Sequence, residues 1–332
     1  MNFWYQKTIS AWLLAGLLSP LALLFWGITA LRRVAYRFGI FKSWRAPLPV
    51  VIVGNLSVGG NGKTPFVIWL ARRLQQQGLR VGVISRGYSG EMKQYPQLVC
   101  ANADTMEVGD ESVLIARRSG AKIAICANRR QSIELLCKAY HIDVILSDDG
   151  LQHYALQRDI EIVIVDAERR FGNGFLLPAG PLRELTGRLK SVDAVVCNGE
   201  HPQPGEIQMR LQGEVAVNLL TQEERLLSDF ADQPIVAMAA IGNPNRFFTT
   251  LQRHGLNIVK QKAFIDHAKF SQEKLVSLAS PQQILLMTEK DAVKCSKFAR
   301  ENWWYVPVEA VLEPSIEDVV NKIMQKVKKD EH

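Results

Sequence analysis

The sequence predicts an α/β protein: a parallel β-sheet flanked by helices, preceded by an apolar N-terminal helix and followed by a second, smaller α/β lobe. Three observations predict this organisation. Short apolar segments rich in Val and Ile alternate with segments of helical periodicity, an uncharged stretch lies near the N-terminus, and a polar stretch interrupts the alternation after Gly199. Strands that alternate with helices are typical of a parallel sheet covered on both faces.

The first predicted element is an apolar helix. Ala11–Leu31 carries no charge over 21 residues, and as a helix it would be about 31 Å long, close to the ~30 Å core of a bilayer. Aromatic residues flank it and basic residues follow it, at Trp4, Tyr5, Trp26, Trp44, Arg32, Arg33, Arg37, Lys42 and Arg45. This pattern predicts a membrane-associated segment over residues 1–45, with the following chain on the cytoplasmic side.

Other interpretations of this helix remain open. A cleavable signal is disfavoured because the apolar stretch is long and Arg32–Arg33 stand where a small-residue cleavage site would lie. A helix buried in a protein core would not need the basic flank. Pro20 would kink a single span, so a hairpin or a helix lying in one leaflet also fits the sequence.

The charge distribution argues against nucleic acid as a partner. The chain has a net charge of +7, yet no Asp or Glu precedes Glu91, and that first stretch holds eleven Lys and Arg. The remainder carries 29 basic and 33 acidic residues. Because the basic excess is confined to the first quarter, beside the apolar helix, it indicates an anionic lipid surface and phosphate groups. No segment indicates an obligate protein partner.

The next elements are a strand, a glycine-rich loop and a helix. Val50–Val53 is apolar and β-branched, and helical spacing begins at Thr64 and ends at Gly78. The loop nearly matches G-x-x-x-x-G-K-[ST], with Ser57 at the first Gly, and such loops hold nucleoside triphosphate phosphates on backbone amides. A flexible turn is the alternative. The predicted nucleotide-binding residues are Asn55, Ser57, Val58, Gly59, Gly60, Asn61, Gly62, Lys63 and Thr64.

Five further segments beyond this loop read as buried strands: RVGVISRGY, KIAICAN, DVILSDDG, EIVIVDAE and DAVVCNG. Together with the loop they predict a core domain over residues 46–210. Ligands of parallel sheets bind beyond the carboxyl ends of the strands. The loop, Asp148–Asp149 and Asp166 are therefore expected along one edge. After a polar stretch the alternation resumes, which predicts linker strands and a smaller lobe over residues 211–332.

Acidic residues at strand ends are candidates for metal binding. Asp148 and Asp149 end an apolar strand, and an acid in this position of a phosphate-loop enzyme holds Mg²⁺ or its water ligands. The alternative is a turn that caps the next helix. In PAGPLRE, a rigid loop presents Arg183 beside Glu184, a pair suited to phosphate and metal, although alone it is only a loop.

Two further residues are ambiguous from local sequence. Asp110 lies in a Gly–Asp–Glu turn before an apolar helical run, where helix capping is the simpler interpretation and proton acceptance from a substrate hydroxyl the sharper one. His267 lies in FIDHAKF, and a lone His is more often structural than catalytic.

In combination, these motifs resemble one family. GNLSVGGNGKTP, SRGY, GDE, SDDGLQH, PAGPLRE, DH and TEKDAVK, placed after a basic-flanked apolar helix, are similar to the tetraacyldisaccharide 4'-kinase family over nearly the whole chain. The resemblance implies a P-loop kinase-like core. It also implies transfer of the γ-phosphoryl of ATP, with Mg²⁺, to the 4'-hydroxyl of a membrane-embedded tetraacyldisaccharide 1-phosphate, at the cytoplasmic face of the inner membrane in lipid A biosynthesis.

The resemblance also implies roles for individual residues. Lys63 and Thr64 would hold the phosphates and Mg²⁺, and Glu184 and Asp148 would be metal-linked acids. Asp110 would be the base and His267 its dyad partner, which reverses the local interpretation of both. The remaining expected catalytic residues are Asp149, in the metal and nucleophile network, and Arg183, for charge developing on the transferred group. The family often has a second His where Ala268 stands.

Two other functions stay open at this point. A membrane-anchored P-loop ATPase or switch would turn over nucleotide without a lipid acceptor. A nucleic-acid-binding module would use the basic N-terminal quarter and bind with strong salt dependence. The alternating buried strands, the Lys–Thr loop and the uncharged helix argue against the second.

Overall fold

The computed structural model describes residues 2–87, 90 and 95–330; Tyr88 of the SRGY motif lies outside them. The strands are β1 (Val50–Gly54), β2 (Val81–Ser85), β3 (Gln97–Val99), β4 (Lys122–Ile125), β5 (Val144–Asp148), β6 (Ile160–Asp166), β7 (Ala194–Asn198), β8 (Ile207–Gln212), β9 (Val215–Asn218), β10 (Glu224–Leu226), β11 (Ile235–Ala239), β12 (Ile258–Ala263), β13 (Ile284–Thr288), β14 (Trp303–Val306) and β15 (Glu309–Leu312). The helices are α1 (Ile9–Arg37), α2 (Lys63–Gln76), α3 (Thr105–Val108), α4 (Asp110–Ser119), α5 (Arg129–Ala139), α6 (Pro244–Arg253), α7 (Gln272–Val276), α8 (Glu289–Cys295) and α9 (Ile316–Asp330).

The strands form two sheets. The larger has the order β15-β8-β7-β6-β1-β5-β2-β4-β3, and the smaller has the order β10-β9-β14-β13-β11-β12. In the larger sheet β8 to β4 run parallel, and β15 and β3 are antiparallel at the two edges. In the smaller sheet β14, β13, β11 and β12 are parallel. The predicted α/β fold with a second, smaller α/β part is confirmed.

Strand β1 lies at the centre of the larger sheet because all five of its residues can be buried on both faces. It pairs with β5 on one side and β6 on the other, with Val53 opposite both Asp148 and Ile162. The carboxyl ends of these three strands therefore meet at one edge. As predicted, the glycine-rich loop and Asp149 follow strands at this edge, where Asp148 and Asp166 are the last residues of β5 and β6.

Helix α2 starts directly after the loop. Its apolar positions fall at helical spacing and are buried, as the sequence predicts: Phe66, Val67, Leu70 and Leu74. Gly62 precedes the helix with φ of 91°, a left-handed conformation that favours glycine. The first turn of α2 thus presents its free amides to the edge of the sheet.

Helix α1 is longer than the predicted apolar stretch. Its 29 residues continue through Pro20, and three of the arginines expected to follow it, Arg32, Arg33 and Arg37, instead lie in its last turns. Pro20 has no amide to donate to the Gly16 carbonyl, but the hydroxyl of Ser19 donates to that carbonyl at 2.7 Å. This substitute hydrogen bond explains why the helix does not break at the proline.

Most of the surface of α1 is apolar and exposed. Its buried residues are three alanines, Ala11, Ala15 and Ala22. Of the 18 consecutive residues with the highest mean hydropathy, only 11% are buried. By length and composition it is the one helix in the described chain that could cross a membrane. The narrow alanine stripe packs on the protein together with Leu18 and Phe25, and other leucines, such as Leu13 and Leu17, face outward.

The C-terminal segment departs from the predicted division at residue 211. β15 pairs with β8, and α9 buries Ile316, Val320 and Ile323 in the hydrophobic core of the larger sheet. The chain therefore leaves the smaller sheet after β14 and returns to the larger one. The predicted lobe over residues 211–332 holds the smaller sheet, but its last segment lies with the larger. The alternation of residues within one strand does not show which sheet that strand joins, so the pairing of β15 could not be predicted from the sequence.

Candidate functional site

The glycine-rich loop over residues 55–62 is held in a defined shape. Gly59 adopts φ of 106°, another left-handed conformation. The side-chain Nδ2 of Asn61 donates to the hydroxyl of Ser57 at 3.1 Å. The backbone N–H of Val58 donates to the Pro181 carbonyl at 2.8 Å, so the PAGPLRE loop braces the phosphate loop from outside.

Lys63 and Thr64 stand at the start of α2. Thr64 is buried in the first turn. The ammonium of Lys63 lies 3.4 Å from the carboxylate of Asp149, and the guanidinium of Arg183 lies 3.1 Å from the same carboxylate. Burial would raise the pKa of Asp149, but the charges of Lys63 and Arg183 bring it down to about 2. Three residues predicted from separate motifs thus form one cluster.

Asp148 lies near this cluster, but its carboxyl group has a raised pKa. It is buried, and its Oδ1 has no hydrogen-bond partner among the described residues. Burial and the charge of Glu111 raise the pKa of Asp148 to about 7, against the opposing charge of Lys63. Arg129, itself buried, donates to the backbone carbonyl of Asp148 at 3.0 Å and fixes the strand end. A buried carboxylate oxygen without a donor fits a divalent cation.

Asp110 and His267 form a contact between the part of the chain that carries the larger sheet and the part that carries the smaller one. Asp110 is the first residue of α4, and its carboxylate accepts the backbone N–H of Glu111 at 2.9 Å; the N-cap of the helix is Gly109, so Asp110 is not the capping residue that local sequence suggests. The Nδ1 of His267 lies 3.0 Å from the same carboxylate. The resemblance predicted this pair, and the structure brings the two residues together.

The protonation states of this pair follow from their surroundings. Burial would raise the pKa of Asp110, but the hydrogen bond from His267 lowers it. The charges of Lys290 and Lys294 lower the pKa of Asp110 further, to about 2. Burial would lower the pKa of His267, but the bond to Asp110 outweighs it and the pKa is raised above its ordinary value. The carboxylate is therefore ionised at neutral pH and can accept a hydrogen bond.

The TEKDAVK motif contributes two lysines. Lys290 lies 2.9 Å from Glu111, 3.3 Å from Asp266 and 3.5 Å from the Nε2 of His267. Lys294 lies 3.7 Å from Asp110. Both face the Asp110–His267 pair from α8. These two lysines therefore lie beside the Asp110–His267 pair.

Glu184 has protein partners on both carboxylate oxygens. It accepts from Gln152 at 3.0 Å and from Tyr154 at 2.6 Å, and it lies 3.6 Å from Arg33 of α1. Gln152 also donates to the Asn55 carbonyl at 3.2 Å. Glu184 thus joins the basic end of α1 to the base of the phosphate loop. Its role as a metal-linked acid stays a prediction.

Two side chains that hold the phosphate loop were not found from the sequence. Asn198 ends β7 and donates to the Asn61 carbonyl at 3.0 Å, and Arg169 follows β6 and donates to the Gly60 carbonyl at 2.9 Å. The position of Asn198 at the end of a predicted buried strand could have marked it as a candidate site residue. Nothing in the local sequence marks Arg169, because an arginine after a strand is common.

Comparison with known proteins identifies the relationship. The sequence pattern of the family described as tetraacyldisaccharide-1-P 4'-kinase matches residues 14–325. The chain belongs to this family. It is 55% identical to the tetraacyldisaccharide 4'-kinase of Actinobacillus pleuropneumoniae serotype 5b (strain L20) over 314 residues, 95% of each chain. It is equally identical to that of Mannheimia succiniciproducens over 329 residues, 99% of each chain.

A solved structure extends the similarity to the fold. The crystal structure of LpxK from Aquifex aeolicus in complex with ATP superposes with a TM-score of 0.78 at 28% identity, covering 95% of this chain and 99% of that one. The predicted family, the α/β fold and the enzyme class, an ATP-dependent kinase, are confirmed. The parts played by individual residues stay predictions.

Proposed function

We propose that this kinase transfers the γ-phosphoryl of ATP to the 4'-hydroxyl of a tetraacyldisaccharide 1-phosphate, giving lipid IV A. The observation that carries the proposal is the Asp110–His267 pair, set close to a phosphate loop whose Lys63 is fixed by Asp149. Glu111, next to Asp110, is near enough to influence Asp148 by its charge. The proton acceptor is therefore carried near the end of β5 that borders the phosphate loop.

The phosphate side of the reaction uses residues of the larger sheet. The loop amides and the N-terminus of α2 favour the triphosphate, and Lys63 can neutralise its terminal charge. Thr64 and the Oδ1 of Asp148, which has no hydrogen-bond partner within the described part of the chain, would hold Mg²⁺. When bound with ATP, that ion supplies charge neutralisation on the transferred group. Arg183 can stabilise the charge that develops there.

The acceptor side uses Asp110 and His267. As the 4'-oxygen bonds to the γ-phosphorus, the bond from that phosphorus to the β–γ bridging oxygen breaks and ADP leaves. The hydroxyl proton passes to the carboxylate of Asp110. The Nδ1 of His267, at 3.0 Å, orients this carboxylate and keeps one of its oxygens directed at the substrate.

The acceptor also explains the exposed surface of α1. Extracting acyl chains from a bilayer would cost about 0.8 kcal/mol for each CH₂ exposed to water. A kinase held at the cytoplasmic face of the inner membrane by α1 meets the sugar head group without that cost. The basic end of α1 would attract anionic lipids and the 1-phosphate. Neither nucleic acid nor an obligate protein partner has a part in this proposal.

The proposal is tested by γ-phosphate transfer from ATP to a detergent-dispersed tetraacyldisaccharide 1-phosphate. We expect Asp110→Asn to lower kcat at least about 100-fold, because a general base contributes roughly 10²–10⁴. Asp232→Asn, which alters an exposed carboxylate on the smaller lobe, is the matched control and should be unchanged. Full transfer by Asp110→Asn would refute the base. ATP turnover that ignores the acceptor would favour the ATPase alternative.

A further inference from the structure

Two successive carbonyls of the phosphate loop are held by side chains from neighbouring strands. The Gly60 carbonyl accepts from Nη2 of Arg169 at 2.9 Å, and the Asn61 carbonyl accepts from Nδ2 of Asn198 at 3.0 Å. Arg169 follows β6 and Asn198 ends β7, so both donors come from the same side of the loop. Asn198 is buried, and Arg169 is 21% exposed.

Planarity of the peptide bond converts these contacts into amide directions. In a trans peptide the carbonyl and the following N–H point in opposite directions within one plane. Fixing the Gly60 carbonyl towards Arg169 therefore turns the N–H of Asn61 the other way. Fixing the Asn61 carbonyl towards Asn198 does the same for the N–H of Gly62. Both amides are aimed away from the two donors, as an anion-binding loop requires.

Arg169 also joins the loop to the smaller lobe. Its Nη1 donates to the Gly242 carbonyl at 2.8 Å, and its guanidinium lies 5.4 Å from the ring of Tyr5, before α1. Gly60 and Gly242 pass so closely that a Cβ on Gly242 would lie 2.1 Å from the nitrogen of Gly60. The guanidinium thus bridges two backbone segments that only glycines allow to approach.

Glycine is required beside Asn198 as well. A Cβ at Gly62 would lie 2.3 Å from Nδ2 of Asn198, and Gly62 already has the left-handed φ of 91°. The close approach of Asn198 is therefore built into the loop. A charge-assisted bond from Arg169 and a buried amide bond from Asn198 fix the loop before ATP arrives.

We propose that Arg169 and Asn198 are positioning residues that hold the amides of Asn61 and Gly62 in the orientation that binds the ATP phosphates. The proposal rests on the proposed function only in taking ATP as the ligand of this loop. Neither side chain needs to contact the nucleotide. Their substitution weakens ATP binding because the two amides are no longer pre-oriented.

The test is direct ATP binding by calorimetry in the presence of Mg²⁺, combined with steady-state kinetics. We expect Arg169→Met to raise the Kd for ATP about tenfold, the effect of losing one charge-assisted hydrogen bond. Asn198→Asp is nearly isosteric but places a carboxylate oxygen against the Asn61 carbonyl, so it should raise the Kd for ATP at least as much. Arg169→Lys keeps the charge and should recover part of the affinity. The KM for the acceptor should not change.

Arg170→Met is the matched control. Arg170 is also 21% exposed, but its guanidinium pairs with Glu206 at 2.7 Å instead of with a carbonyl of the phosphate loop. Unchanged ATP affinity in Arg169→Met and Asn198→Asp proteins of normal melting temperature would overturn the proposal, as would an equal loss in Arg170→Met. Failure of wild-type transfer would contradict the proposed function instead, since ATP binding is measured without the acceptor.

Discussion

At the scale of single residues, the Asp110–His267 pair links protonation to activity and to stability in opposite ways. The pKa of His267 is raised by its bond to Asp110. When His267 is protonated, the imidazolium withdraws charge from the carboxylate that must accept the substrate proton. Activity therefore needs neutral His267, whereas the ion pair that stabilises the fold needs the charged form.

The first prediction is a pH profile. We expect kcat to fall as the pH drops through the raised pKa of His267, above its ordinary value of 6.5. The stabilisation by the pair should be fully present below about pH 6.5 and be lost as the pH rises through that raised pKa. His267→Gln should remove both dependences. The measurements are kcat and melting temperature from about pH 5 to 9. An acid limb that survives in His267→Gln would contradict the assignment.

The second prediction concerns Asp149, which has φ of 49° and contacts Lys63 and Arg183. Asn tolerates this left-handed conformation, whereas Ala is strained by about 1 kcal/mol. Both variants lose the carboxylate that pairs with Lys63 and Arg183, so Asp149→Asn should lower kcat and stability, but it should stay about 1 kcal/mol more stable than Asp149→Ala because it avoids the backbone strain. Asp149→Ala should lower both. Chemical denaturation beside transfer kinetics separates the effects, and equal stability of the two variants would count against the backbone argument.

Site residues were predictable where their signal is local. Lys63, Thr64 and Asp148 each lie at the end of a strand or the start of a helix, and parallel strands bring such ends together whatever the details of the fold. For Asp110, local sequence favoured helix capping over proton acceptance. The contact that suggests a catalytic role is with His267, 157 residues away. Arg169 was missed for the same reason, because its partner Gly242 is 73 residues away, in the loop after β11 of the smaller sheet.

At the scale of elements, α1 has two faces with different requirements. Alanines contact the protein, where small side chains allow close packing, and leucines point outward, with Leu13 71% and Leu17 77% exposed. The sequence predicted the apolar stretch but ended it at Leu31, because charged residues follow. Arginine is a good helix former, so the helix continues to Arg37.

The third prediction tests the outward face. Substituting Leu13, Leu17 and Leu24 by Asn should move the protein from the membrane pellet to the supernatant, because each exposed Leu that enters lipid contributes about 1.5–3 kcal/mol. The alanine stripe is untouched, so the melting temperature should hold. Leu220→Asn, an exposed leucine 55% accessible beside the smaller sheet, is the control. Unchanged sedimentation of the triple variant would exclude α1 as the anchor.

At the scale of the whole molecule, the chain crosses between the two sheets and then returns. β15 and α9 follow the smaller sheet in sequence but complete the larger one, where Arg73 of α2 pairs with Glu317 of α9 at 2.8 Å. The smaller sheet is thus an insertion whose two ends are anchored in the nucleotide-binding half. This arrangement holds His267 opposite Asp110, because the inserted sheet is tethered at both ends.

The return of the chain yields the fourth prediction, in which the position of a core substitution decides which half loses stability. Ile323 of α9 is fully buried in the core of the larger sheet, and Leu251 is fully buried in that of the smaller. Each substitution by Ala should cost about 2–5 kcal/mol. Mg·ATP stabilises the part of the fold that binds it. Ile323→Ala should therefore lower the unfolding transition that ATP raises, as observed by calorimetry with and without nucleotide. If α9 instead belonged energetically to the smaller lobe, Leu251→Ala and Ile323→Ala would lower the same ATP-insensitive transition.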